Sequence, residues 1–342
     1  MNTKQDLQQG VSLVELLVSM VVTLIVLGGV ISVVTTSRST FINEQEASFM
    51  QENARFAMEM LARDVRMAGS KGCAPDSGTW YVDAIDLDGL YGIDGIEGFE
   101  ADATPIGGPA GVDAVVVRYA DPNGAIPITG HVVSSGSNLF STASATGFSN
   151  GEKLFVVDAS CRHYAYFEAT TASANAANVT QGSSGNNCQV RLLAEIDDSD
   201  CSRASPSARP YRPGSQIMPF YIAGYFVDDS VVIAGVPALK RRVFTASGQR
   251  TEELAQGVES MEVVYGVDES FDPAEELEVE VYLSASEVTN WQAVSSVRFV
   301  LVLRSQSEFF DSDRAVTLND TDYNDRFLRQ LVTTTVQIRN RG

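Results

Sequence analysis

Histidine is almost absent from this chain of 342 residues. Only His131 and His163 occur, which leaves little room for a Ser-His-Asp or Cys-His nucleophilic set. Cysteine is nearly as scarce, at four residues, and no two stand in a C-x-x-C pair, so the spacing gives no zinc site. Basic residues are few: 24 Lys and Arg against 44 Asp and Glu, a net charge of −20. A field of that sign repels nucleic-acid phosphates. There is no G-x-x-x-x-G-K-[ST] loop, no G-x-G-x-x-G after a strand, no internal repeat and no second long apolar run. Carboxylates are so abundant that a chance pair suited to glycoside chemistry says little. The sequence therefore predicts no enzyme, no cofactor, no bound metal and no nucleic-acid partner.

What is present begins at Gly10. A short polar leader, Met1 to Gln9, contains Lys4 and runs into Gly10-Val11-Ser12-Leu13-Val14-Glu15-Leu16-Leu17. From Leu16 to Val34 no charged residue occurs, only Ser, Thr and Gly among aliphatic residues. About 19 residues at ~1.5 Å each just span a ~30 Å hydrocarbon core. A cleaved secretory signal would close on small residues of the A-x-A kind, and none follows; a glutamate at the edge of the run is foreign to it as well.

These residues resemble the class III signal of type IV pilins and type II secretion pseudopilins. The resemblance implies that prepilin peptidase cuts after Gly10 on the cytoplasmic side and N-methylates Val11. It also implies that Glu15, the fifth residue of the mature chain, sets subunit register during assembly. A carboxylate at a membrane edge is costly unless paired, and cleavage would create an α-amine on Val11 for a neighbouring subunit's glutamate to meet. One departure is Val11, where the family usually has Phe. Gly28 and Gly29 would either loosen the helix as subunits leave the bilayer or allow close helix packing.

Helical periodicity continues past the apolar run. Met50, Ala54, Ala57, Leu61, Val65 and Ala68 recur at three- and four-residue spacing and form one stripe. Glu59 and Arg63 stand at i,i+4 on the wet side, and Gly69 is a stop signal. The pattern predicts one helix over 11–69, about 90 Å long at ~1.5 Å per residue.

Strands are expected over 115–119, 153–158, 163–170, 189–196, 220–227, 239–244, 297–303 and 332–339, as β-branched or aromatic runs between Gly, Pro, Ser and Asp. The last alternates Val332, Thr334, Val336 and Ile338 with polar residues, the period of a half-buried strand. Residues 74–112, 171–187 and 197–215, with little to bury, read as loops. So does the acidic stretch holding Asp311, Asp313, Asp320, Asp322 and Asp325. Calcium at the acidic series Asp83, Asp86, Asp88, Asp94, Glu97, Glu100 and Asp102 would need the D-x-D-x-D-G run with a distal Glu, which is missing.

The phrases around 51–73, 151–161, 253–268, 297–305 and 333–341 narrow the resemblance to the PilW family of minor pilins. That resemblance implies an α+β fold: a long N-terminal α-helix, transmembrane in its first half, packed on an antiparallel β-sheet head in the periplasm. The expected division is a leader over 1–10, a membrane and filament-core helix over 11–35, an amphipathic helix over 36–69 and a β-rich head over 70–342. Implied partners are other minor pilins, the major pilin, prepilin peptidase, the inner-membrane assembly platform, a cytoplasmic extension ATPase and a large tip adhesin. The alternatives are a J-type pseudopilin and an adhesive or ligand-binding tip module with an aromatic patch near Trp80 or Trp291. Arg55, Arg63 and Arg66 fit either an interface or a solvated face. For an exported head the four cysteines suit two disulfides. Of three connectivities, the short loop favours Cys188 with Cys201 and leaves Cys73 with Cys161.

Overall fold

A computed structural model describes residues 12–74, 80–83, 94–134, 137–182, 187, 210–245, 248–272, 275 and 277–339. One helix, α1 (Leu13–Met67), leads the chain. Strands β1 (Trp80–Asp83), β2 (Ile96–Phe99), β3 (Ala114–Ala120), β4 (Ile126–Ser134), β5 (Ser137–Thr142) and β6 (Lys153–Val157) follow. Then come β7 (His163–Glu168), β8 (Thr171–Ala172), β9 (Asn178–Gly182), β10 (Gln216–Asp229), β11 (Pro237–Thr245) and β12 (Gly248–Gln256). The C-terminal part holds β13 (Val258–Val267), β14 (Val281–Leu283), β15 (Val294–Arg304), β16 (Arg314–Leu318), β17 (Thr321–Asp325) and β18 (Arg329–Gln337). A long apolar helix followed by a large, mainly antiparallel β head is an α+β, pilin-like fold. By contact density the chain divides into residues 1–51 and residues 52–342.

In residues 52–67 the predicted stripe is the packed face of α1. Ala54, Ala57, Leu61, Val65 and the following Ala68 are buried, while Arg55, Arg63 and Arg66 are exposed. The helix stops where the sequence predicts. Gly69 takes a φ of 75°, a left-handed turn open to glycine at little cost, and its N–H donates to the Arg118 carbonyl in β3. The chain is tied a second time by the Cys73–Cys161 disulfide, which closes a separation of 88 residues and reaches the turn before β7. The expected second pair, Cys188 and Cys201, lies outside the described residues, as does the strand expected over 189–196.

The head is built on β10. Its first residues pair with β6 and β4, and its remainder lies between β3 and β11. These ladders are antiparallel; β1 runs parallel to β7. A second sheet has the order β14-β13-β15-β18. The expected segment 253–268 is two strands, β12 and β13, separated at Gly257, whose φ of 80° and N–H bond to Pro237 make the turn.

Three expected loops contain structure. Residues 171–187 include β8 and β9, where Val179 and Gln181 are fully buried. Residues 74–112 include β1 and β2, with Ile96, Ala103 and Ile106 buried. The acidic stretch before the last strand carries the β16–β17 hairpin, turned by Asn319 and Asp320 at φ 49° and 57°. These short strands hold few alternating apolar residues, so their two-residue period is faint in the sequence.

Candidate assembly site

At the helix N-terminus Ser12 stands as the cap. Its Oγ accepts the Val14 N–H at 3.3 Å and its carbonyl accepts the Leu16 N–H at 3.1 Å. Glu15 follows in the first turn, exposed. Ser12-x-x-Glu15 is the spacing of a capping box, and the positive end of the helix dipole favours a carboxylate there. Glu15 is therefore compatible with the free chain as well as with an external amine. Gly10 and Val11 lie outside the described residues.

Further along, the hydroxyls that interrupt the apolar run turn inward on the helix. Ser19 donates to the Leu16 carbonyl, Thr23 to Ser19, Thr35 to Ile31 and Thr36 to Ser32, at 2.7–2.9 Å. With their protons satisfied within the helix, they add little penalty to an apolar environment. The most apolar 18-residue window of α1 has a mean hydropathy of 2.7, and none of it is buried within the chain. Cβ atoms added at Gly28 and Gly29 would touch nothing. Among the described residues, therefore, no close contact requires the two glycines.

The head end of α1 carries a polar anchor that periodicity alone does not reveal. Asp64 lies on the packed face and is 2% exposed. The Tyr225 hydroxyl of β10 donates to its Oδ2, and Arg241 of β11 approaches the same oxygen at 3.8 Å. Arg241 is clamped by Glu252, its Nε donating at 3.2 Å and its Nη2 at 2.5 Å. Burial, then the Asp64 charge, pushes the Tyr225 hydroxyl far above the usual phenol range. The same two causes push Tyr221 up to about 12. Burial opposes the Arg241 charge, yet the Glu252 hydrogen bond and the two tyrosines raise its pKa above the ordinary arginine value. The legible clue was an aspartate at i+3 from Leu61, inside an otherwise apolar stripe.

A second buried polar chain crosses β4, β5 and β9. The Tyr211 N–H donates to His131 Nδ1 at 2.8 Å, so Nε2 carries the proton and donates to Asn138 Oδ1 at 3.1 Å. Asn138 in turn donates to Gln181 Oε1 at 2.7 Å. Burial lowers the His131 pKa to about 4, against a smaller raising effect from Asn138. His131 is thus neutral and stacked on Phe140, with ring centroids 4.3 Å apart.

The acidic stretches bind the protein to itself. Glu97 pairs with Arg118, Glu100 accepts from the Ser286 N–H, and Asp102 accepts from the Thr104 N–H. Asp322 accepts from the Thr317 hydroxyl. Arg329 donates to both Glu259 and Asp325 at 2.6–3.0 Å and lies over the Tyr323 ring. No cluster of three His, Cys, Asp or Glu suited to a metal ion occurs among the described residues. Asp86 and Asp88 lie outside them. Trp291 is half-buried and set edge-on against Tyr265 at 4.8 Å, so its ring is partly used in packing. The side chain of Trp80 lies outside the described residues.

Two family models match the chain. Residues 6–31 match the prokaryotic N-terminal methylation motif. Residues 224–340 match the type IV pilus-assembly protein W family, from within β10 through β18. That range includes the phrases at 253–268 and 297–305 and most of 333–341; those at 51–73 and 151–161 fall outside it. No curated protein and no solved structure matches. The prepilin signal and the long apolar helix fit an inner-membrane-anchored pilin. The two matches, one at each end of an α+β pilin-like chain, support a PilW-like type IV pilin.

Proposed function

We propose that this chain is a minor pilin that helps prime pilus assembly as part of a tip complex. The observation that carries this reading is the pairing of a prepilin signal at 6–31 with a pilus-assembly match at 224–340. In it, residues 1–10 are a leader removed after Gly10, and Val11 becomes the N-methylated first residue. Residues 11–35 span the inner membrane once and later enter the filament core. Residues 36–69 continue the helix, and residues 70–342 form a periplasmic head. Other minor pilins, the major pilin, the assembly platform and a large tip adhesin are its partners. Its action is assembly and not catalysis.

Glu15 would select one axial offset between subunits. Paired with the α-amine of a neighbouring Val11 in a low-dielectric setting, it rewards that offset and leaves an uncompensated charge at any other. The Ser12 cap holds the first turn, so Glu15→Ala should still be cleaved yet enter pili poorly. Unchanged recovery of Glu15→Ala in sheared pili would remove its register role.

The decisive comparison isolates the full-length protein from membranes with its bound partners. Recovery with other minor pilins supports the proposal. Recovery with secretion-system pseudopilins would instead indicate a J-type role, and recovery with neither would reject assembly.

A further inference from the structure

We infer that the free edge of β18 is a docking edge for a β-strand of a different pilin-type subunit. The inference rests on the assembly reading above and names the surface that serves it. β18 pairs with β15 over nine consecutive positions, from Ser296↔Gln337 to Arg304↔Arg329, with no bulge. No other strand pairs with it among the described residues. The Ile338 N–H donates to Ser295 and the Ser305 N–H to the Leu328 carbonyl. Even-numbered positions of β18 therefore spend their backbone groups on β15. The odd positions Leu331, Thr333, Thr335 and Gln337 turn theirs outward, and all four are exposed.

Open edges invite pairing, and proteins normally blunt them with short strands, charge, proline or bulges. Such protection is present at the other terminal strands among the described residues. β1 and β2 are four residues long, β8 two and β14 three. β12 is long but carries Arg250, Glu252 and Glu253. The β16–β17 hairpin carries Arg314, Asp322 and Asp325. From Gln330 to Gln337 β18 has no charge, no proline and no glycine.

Alternating outward N–H and C=O groups are complementary to one thing, an extended backbone. The flanking charge selects among extended partners. Exposed Arg339 follows the strand, while the guanidinium of Arg298, opposite Thr335, lies over the Tyr282 ring of β14. Self-pairing centred on Thr334 would set Arg339 of each copy opposite Arg329 of the other, where Glu259 and Asp325 are already taken up by Arg329, so Arg339 would gain no carboxylate of its own. The fitting strand is uncharged over about four residues, with a carboxylate at the end facing Arg339.

Amide hydrogen exchange on the full-length chain tests this, free in detergent and again within isolated pili or the membrane complex. Leu331, Thr333, Thr335 and Gln337 should exchange quickly in the free chain and become protected by at least about tenfold in the assembly. Val332, Thr334 and Val336 should be slow in both. Thr333→Pro removes only an outward donor, which an edge strand tolerates, and should lower recovery of partner pilins about tenfold. Should Thr333→Pro fail to fold, Thr335→Lys keeps the backbone and places a charge on the edge, with the same loss expected. Unprotected odd-numbered amides in a chain recovered with its partners would overturn the docking edge alone. Protection that appears in the pure chain as its concentration rises would also overturn it, in favour of a second copy. A chain that joins no pilin at all would reject both the edge and the assembly reading.

Discussion

At the scale of single residues, one buried and one half-buried polar group set the chemistry of the head. Asp64 accepts from Tyr225 and faces Arg241 with almost no access to water. Removing the carboxylate leaves a tyrosine hydroxyl and part of a guanidinium without their acceptor, and such orphaned groups cost more than the bond itself is worth. Asp64→Ala should destabilise the head by about 3 kcal/mol. Tyr225→Phe leaves Asp64 with Arg241 and should cost about 1–2 kcal/mol. Urea unfolding of the two variants checks the order; equal or negligible losses would contradict it.

His131 is the second such group. Its folded pKa is about 4, below the usual 6.5, because burial disfavours the cation. Between these values the unfolded chain binds the extra proton, so stability falls as pH drops from 6.5 towards 4 and the penalty is complete below that. Its partial exposure screens the effect, to about 1–2 kcal/mol. Unfolding midpoints at pH 7.5 and pH 4.5 should differ less in His131→Gln than in the parent chain. Equal pH dependence in the two would remove this role.

At the scale of elements, the helix was legible almost to the residue. An uninterrupted apolar run, a three- and four-residue stripe and Gly69 fix its face and its stop. Strands rich in β-branched residues, β3, β10, β15 and β18, were also legible from their composition. Short strands such as β8, β9 and β17 were not, because their pairing is decided by neighbours far along the chain. Asp64 escaped for the same reason: its partners Tyr225 and Arg241 lie more than 150 residues away, and helical spacing says nothing of them. The Cys73–Cys161 pair was anticipated from loop lengths. It ties the segment after α1 to the β6–β7 turn, and closing 88 residues is worth about 4–5 kcal/mol in the chain-entropy account. Cys73→Ala with Cys161→Ala should lower the head's stability by about 2–5 kcal/mol. A thermal midpoint unchanged by this double substitution would show that the tie contributes nothing.

At the scale of the whole molecule, two properties point in one direction: an apolar helix with inward-bonded hydroxyls, and a β head in which Glu97, Glu259 and Asp325 are spent on internal partners. They fit the pilin-type subunit that the two family matches support. In the proposed assembly role conversion at Gly10 comes first, since it would free the Val11 amine that Glu15 is to meet. The mass and N-terminal sequence of the protein recovered from membranes and from pili test this. Processing as proposed gives a chain that starts at Val11 and carries one added methyl group. A chain that still starts at Met1, or starts at Val11 but never leaves the membrane fraction for the pilus, would contradict it.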